Sequence, residues 1–486
     1  MRATAALGSF DRMGSLAASA GWLGIVFAVL FFIRFGPAGL VVPLALFLLA
    51  GLIAAFVGWP HITVAATIVY FTLIPTLNQF VTPLAGPTKD LIALSAIAAA
   101  GILFVQRRSG REGWAVDKPL LILVGSFVAL YVVNLGGGLT GESGHGLAWF
   151  HGVRLACAPL TLFVVGLSLR QPERTLRWSI GAIIASAVLV ALVGLVQQSL
   201  GVGRLLELGY TYGEEVREVG GNLRSFGTLG EPFSYAEFLL VGLAALLLWS
   251  RQRWATIAAT GLVVMALYVS YVRTVFLIAL AMVGIAIARR GQVRLAVLTV
   301  AASVVLALTL FVTESQQQAT RSVYLSSSEY VTLNGRTNIW KSQIGESPSA
   351  WTLGRGVGAV GTAAQRATRS LVGRNQVNGS DRGPTVVDSG YFTVLADVGV
   401  LGLAALLAFL GRLTYLAVEA CRRGERTGWL ALGIIAVIAL DALTRDSFTG
   451  FPVPWVAFLV LGLAASTWAS HRVLASRPAL RPVADG

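Results

Sequence analysis

The sequence predicts an all-α polytopic membrane protein, and three observations predict it. Only 12% of the residues are charged against 56% hydrophobic, about half the charge of a soluble domain. Apolar runs of membrane length recur from residue 21 to residue 471. Those runs do not alternate apolar with polar residues, as the strands of a transmembrane β-barrel must.

Taken in order, the runs lie near 21–36, 38–58, 61–77, 89–106, 119–136, 149–169, 178–200, 232–250, 253–271, 272–289, 293–313, 389–418, 427–444 and 452–471, about 12 to 14 spans. Only "RFGP" and "GWPH" separate the first three, so re-entrant segments are an alternative there. Residues 1–20 lack the pattern of a cleavable signal, and the first span reads as an uncleaved anchor. The expected organisation is a cytoplasmic tail (1–20), a transmembrane bundle (21–313), an extracytoplasmic loop subdomain (314–388), C-terminal spans (389–471) and a cytoplasmic tail (472–486).

The net charge of +14 would suggest nucleic acid in a soluble protein. Here the arginines sit in short loops between spans, as the positive-inside bias requires, and no nucleic-acid partner is expected. The loops "QRRSGREGWAVDK" (106–118), "RQPERTLR" (170–177), "RQR" (251–253), "RRGQVR" (289–294) and "RRGER" (422–426) all fall on one side when the spans are counted. That side is expected to be cytoplasmic. Two cysteines, Cys157 and Cys421, and four scattered histidines give no disulfide framework and no metal-ligand pattern. No metal and no cofactor is expected. Membrane lipids are the general partner.

The opposite side holds the polar groups that carry chemistry. "GNLRSFGTLGEP" (221–232) puts Arg224 and Glu231 in a glycine-rich corner before a span. Arg273 interrupts a nearly continuous apolar run from 255 to 288, so it either snorkels to the interface or pairs in the bundle. Arg336 lies in "NGRTNIW", and Asp388 in "VVDSGYF" just before the span at 389. Such a set suits glycosyl transfer from a lipid-linked pyrophosphate. Arginine binds phosphate oxygens bidentately and keeps its charge in a poorly hydrated site, so it can replace a divalent metal at the leaving group. Asp388 and Glu231 are the available bases for an acceptor hydroxyl. Gly227 and Gly230 would let the backbone approach the ligand.

Each residue has a plainer reading. Arg224 in a loop is by base rate a solvated charge, and either carboxylate alone is more often a helix cap, with Ser389 capping beside Asp388. Lys89 and Asp90 read as mutually neutralising, and Asp441, Arg445 and Asp446 as structural pairing. Structural pairing is the favoured reading of Arg154 as well, and of these groups it is the candidate for a supporting role. "GRGVGAVG" (354–361) follows no strand and opens no P-loop, so it is weak support for phosphate binding.

Four stretches together resemble the O-antigen ligase and O-antigen polymerase superfamily. They are "LRSFGTLGEPFSYAEFLL" (223–240), "YVRTVFLIALAMVGIAI" (271–287), "GRTNIWKSQIGESPSAWTLGRGVGAVG" (335–361) and "DSGYFTVLADVGVLGLAALL" (388–407). The resemblance covers roughly residues 220–410, in order and spacing. It implies a C-type membrane glycosyltransferase with a large extracytoplasmic loop, in the bacterial inner membrane. The donor would be an undecaprenyl-pyrophosphate-linked glycan and the acceptor a glycan or glycolipid. Arg224 and Arg273 would hold the pyrophosphate, with Arg336 in the loop helix and Tyr391 in support. Asp388 stands where ligases carry a histidine base, and Glu231 replaces the usual asparagine, so a polymerase or a ligase for another acceptor is implied.

A transporter or flippase of the lipid-linked oligosaccharide is the competing class. It should place ionisable groups near the bilayer midplane, in broken helices with internal symmetry. The span centres read as nearly free of charge and the halves show no repeat, which favours the enzyme.

Overall fold

The computed structural model describes residues 41–82, 85–109, 117–134, 146–210, 218–219, 222–250, 254–272, 274–292, 352–358, 360–363 and 389–476. Of the expected features, the spans at 21–36 and 293–313, the residues Arg273, Arg336 and Asp388, and most of the 314–388 loop lie outside the described residues.

Apolar segments of this length fold as helices because lipid offers no partner for backbone N–H and C=O groups. The described helices are α1 (Val41–Gly58), α2 (Pro60–Phe80), α3 (Ala85–Ser109), α4 (Lys118–Val133), α5 (Gly146–Ser168), α6 (Pro172–Glu207), α7 (Pro232–Leu248), α8 (Trp254–Tyr268), α9 (Thr274–Arg289), α10 (Gly390–Arg422), α11 (Arg426–Asp441) and α12 (Val453–Ser476). Six of them are long and apolar enough to cross a membrane: α2, α3, α5, α6, α10 and α12. Five more are apolar but shorter. The chain is thus a multi-pass α-helical membrane protein. One small hairpin, β1 (Glu218–Val219) and β2 (Asn222–Leu223), pairs antiparallel ahead of the corner.

Two helices contain a break. α6 continues to Glu207 past Gly201 (φ +70°), and α10 passes Gly399 (φ +70°) on its way to Arg422. Left-handed backbone of this kind is open to glycine at little cost.

Two helices form the centre. Over its apolar window α12 is 94% buried, and it packs on α5, α6, α7, α10 and α11. α7 is buried along almost its whole length between α6, α8, α9 and α11. A helix apolar on every face belongs inside a bundle. Between α5 and α12 the backbones nearly touch: a Cβ on Gly166 would lie 2.4 Å from Leu459 O, and one on Gly462 would lie 2.1 Å from Phe163 O. Close approach of small residues replaces the hydrophobic drive that lipid does not provide.

The arginine-bearing loops meet at one end. There Arg170 Nη2 donates to Gln106 Oε1 (2.8 Å), His471 lies between Glu173 (2.8 Å) and Glu425 (3.5 Å), and Arg412 grips Asp117 with Nε (3.2 Å) and Nη2 (2.6 Å). Asp117 also caps α4, accepting from Leu120 N–H at 3.1 Å. Burial opposes the charged carboxylate, but the Arg412 bonds, the Leu120 N–H and the nearby charges of Arg412 and Arg472 outweigh it. The group is therefore held below its ordinary value of 3.8. A depressed pKa stabilises the fold above the unfolded value and loses that contribution as pH falls through the folded one. Asp117→Asn should cost about 1–2 kcal/mol at neutral pH. Melting of the variant in detergent should also change less than the wild type between neutral pH and about pH 3.

Candidate functional site

The end opposite the arginine loops is organised by the corner at 223–231. Among the described residues there, Leu223 to Leu229 are all buried, Arg224 at 5% exposure. This corrects the reading of Arg224 as a solvated loop charge. Three elements hold the corner. From α6, Gln197 Oε1 accepts from the N–H groups of Phe226 (3.2 Å) and Gly227 (2.8 Å), and its Nε2 donates to Gly227 O (2.9 Å). Gly194 O of α6 accepts from Ser225 Oγ (2.8 Å). From α2, Thr72 O accepts from Thr228 Oγ1 (2.7 Å), and Thr76 Oγ1 donates to Thr228 O (2.9 Å). Past the end of α8, Val269 O accepts from Ser225 N–H (3.0 Å). Buried backbone groups must find partners, and α6 and α2 supply side chains for that purpose.

Both corner glycines take positive-φ backbone. Gly227 (φ +55°) faces α6 and Tyr235, where a Cβ would come within 2.9 Å of Val190 O and 2.7 Å of the Tyr235 ring. Gly230 (φ +76°) completes the turn beside Pro75.

Arg224 reaches across this frame. Its Nε donates to Ser270 O (3.4 Å) and its Nη2 to Tyr271 O (3.3 Å). It thereby reaches the junction expected to carry Arg273, which itself lies outside the described residues. The Arg224 guanidinium stands 4.6 Å from the centre of the Phe233 ring, in the first turn of α7. Arg445, from the segment after α11, stands 4.7 Å from the same ring. Two cations therefore share one aromatic platform, each gaining about 0.5–2 kcal/mol from the ring quadrupole.

Arg445 also binds Asp441 (Nη1–Oδ2, 3.1 Å), a carboxylate with 1% exposure that accepts from Ser447 Oγ as well. The expected pairing of Asp441 with Arg445 is therefore present, but it is only half of what Arg445 does. One turn after Phe233, Glu237 is buried, with Asp441, Arg445 and Asp446 as its charged neighbours. Among the described residues its Oε1 has no hydrogen-bond partner. Asp446 Oδ2 accepts from Thr449 Oγ1 (2.5 Å).

The start of α10 is sewn to this cluster. Gly390 N–H donates to Ala442 O (2.9 Å) and Arg445 O (2.7 Å). Ser389 Oγ donates to Ala442 O (2.9 Å) and makes no capping bond, so its expected role as a cap is corrected. Tyr391 Oη donates to Ala439 O (2.9 Å), and its ring lies 5.2 Å from Phe448. Tyr391 is therefore a strut between α10 and α11. Asp388 lies outside the described residues, next to Ser389. Glu231 is described and exposed, directly before α7, with its Oε2 3.5 Å from Ser234 Oγ and no capping bond.

One further expectation changes. Asp90 pairs with Arg154, not Lys89: Arg154 Nε donates to Asp90 Oδ1 (2.8 Å) and Nη2 to Oδ2. Lys89 lies 4.6 Å from the Phe451 ring instead. Consecutive helix residues point away from each other, whereas α3 and α5 pack side by side. Arg154 thus joins two helices, in keeping with the structural pairing that was its favoured reading. The described part of "GRGVGAVG" wraps the break in α10. Gly358 N–H donates to the buried Asp397 Oδ1 (3.1 Å), and a Cβ on Gly354 or Gly399 would strike the other segment's backbone. These glycines pack chain against chain. Asp397 and Glu237 are both buried carboxylates within apolar helices.

Sequence reasoning missed the shared platform, Phe233 with Arg445, and the buried acids Glu237 and Asp397. A signal existed for the acids: each is the sole charge in a long apolar run of α7 or of the first half of α10. Among the described residues no group of three or more His, Cys, Asp or Glu side chains is placed to hold a metal. A comparison with the models of known protein families gives no match, and a comparison with characterised proteins gives none either.

Proposed function

We propose that the chain is a metal-independent membrane glycosyltransferase of the O-antigen ligase and polymerase kind, with the corner end on the extracytoplasmic face of the bacterial inner membrane. In this reading it has a C-type architecture whose large loop is 314–388. It moves a glycan from undecaprenyl pyrophosphate to a hydroxyl of a glycan or glycolipid, as a surface-polysaccharide polymerase or ligase. The observation that supports this best is the pair of guanidiniums, Arg224 and Arg445, on Phe233 beside a rigid buried corner.

The acceptor oxygen attacks the anomeric carbon. The bond from that carbon to the pyrophosphate oxygen breaks, and the electron pair leaves with the pyrophosphate. Fixed guanidiniums stabilise the charge that develops there without reorganising. Arg224 and Arg445 fill this role, joined by Arg273 and Arg336. Asp388, beside the anchored Ser389, or Glu231, at the start of α7, takes the acceptor proton.

The transporter reading draws on a specific observation too. Glu237 and Asp397 are buried ionisable groups, and Asp397 adjoins a helix break at Gly399. They are, however, the sixth residue of α7 and the eighth of α10. At 1.5 Å per residue this puts them roughly 8–12 Å from the corner-end helix starts, short of a midplane.

Purified protein in liposomes, given undecaprenyl-pyrophosphate-linked glycan with chelator present, should release undecaprenyl pyrophosphate. Lengthening glycans would identify a polymerase, and one transfer to a different acceptor a ligase. Passage of intact donor across the bilayer, with no bond broken, would put the flippase in its place.

A further inference from the structure

We infer that the cleft between α8 and α9, at the arginine-rich end, binds an anionic phospholipid. α8 and α9 both lean on α7, and a cavity of about 830 Å³ opens between them near its last turn. Three arginines line it: Arg289 at the end of α9, Arg290 next to it, and Arg426 at the start of α11. Among the described residues no carboxylate pairs with any of the three. Other arginines at this end are neutralised: Arg412 by Asp117, Arg423 by Glu419 and Glu425, Arg177 by Glu173.

Three like charges in one cleft repel one another, and an anion would relieve that repulsion. Arg289 is already aimed. Its Nη1 donates to Leu247 O (3.4 Å) and Leu248 O (2.7 Å) at the end of α7, which leaves the donors on Nε and Nη2 for a ligand.

The cleft's apolar flank selects a lipid over a soluble phosphate. Leu246, Leu247, Ile257 and Ala286 line it, with Gly261 of α8 in the same wall as Ile257. Along the same helix Ile257, Val264 and Met265 are 55%, 47% and 59% exposed. An acyl chain lies along such a face, and Trp254, 86% exposed at the helix start, sits where aromatic residues meet headgroups. Basic pockets between spans with this charge and polarity hold anionic lipid headgroups.

The full chain, purified from mixed phosphatidylglycerol and phosphatidylcholine membranes, should retain phosphatidylglycerol preferentially by native mass spectrometry. Inorganic phosphate should not displace it. The double variant Arg290→Gln/Arg426→Gln, at two exposed positions, should lower retention by about tenfold or more. Gly261→Leu keeps every charge, and its Cβ meets nothing within 4 Å. It should fold and exclude the lipid by filling the wall. Equal retention of the two lipids by the wild type would overturn the proposal. So would unchanged phosphatidylglycerol in both variants, or its displacement by inorganic phosphate.

Discussion

Arg445→Ala and Arg224→Ala are each expected to slow release of the pyrophosphate carrier by roughly a hundred- to a thousand-fold, the cost of removing one fixed donor at a developing anion. The two losses should not add fully, because both guanidiniums share the Phe233 ring and in the proposed mechanism face one leaving group. Arg445→Ala carries a complication. It strips the partner from Asp441, which is 1% exposed, and an uncompensated buried carboxylate costs several kcal/mol of stability on the order of 3–5. The paired variant Arg445→Ala/Asp441→Asn removes that penalty. Its melting should return towards wild type while its turnover stays low. Arg445→Lys is the sharper probe, since lysine keeps the charge but lacks the planar fork that stacks and binds two oxygens at once. Carrier release by the paired variant at the wild-type rate would remove Arg445 from the site.

Much of the frame was legible in the sequence. Apolar length marks helices whatever they pack against, and the ends of α7, α9 and α11 fall within a few residues of expectation. The meeting of Arg170, Arg412 and His471 at one end agrees with the loop count. Pairing across the bundle was less legible. Lys89 and Asp90 are adjacent in the chain, yet Asp90 finds Arg154 on the next helix but one, because contact follows packing. Arg445 was readable as the partner of Asp441 four residues back, but its ring partner Phe233 is more than two hundred residues earlier. The corner was legible as a motif and illegible as a buried one. Its burial depends on Gln197, a polar residue in an apolar helix, which sequence reasoning had no reason to aim at Gly227. Asp388, Arg273 and Arg336 lie outside the described residues, so on these three the site rests on sequence.

Gly462→Leu is expected to produce the largest loss of folded protein. A side chain there must enter space occupied by the backbone of α5: its Cβ would lie 2.1 Å from Phe163 O, 2.9 Å from Phe163 C and 3.1 Å from Phe163 Cα. The reciprocal position, Gly166, meets Leu459 O at 2.4 Å and Leu463 N at 2.8 Å. Carbonyls held in a helix cannot rotate aside as a flexible side chain would, so relief requires one whole helix to move. α12 is the least free to do so, being 94% buried over its window among five other helices. Overpacking a core commonly costs about 1–3 kcal/mol, and a backbone clash should exceed that range. Thermal melting in detergent, with Gly411→Leu as the control, checks this; Gly411 is exposed and its Cβ would meet nothing within 4 Å. Equal melting of the two variants would mean that the seam yields. The seam bears on function as well. α12 packs on α6, and α6 carries the Gln197 and Gly194 that hold the corner. Gly462→Ala carries the same Cβ clash without the longer side chain, so it should shift the seam and, through α6 and the corner it holds, lower turnover at temperatures where the protein is still folded.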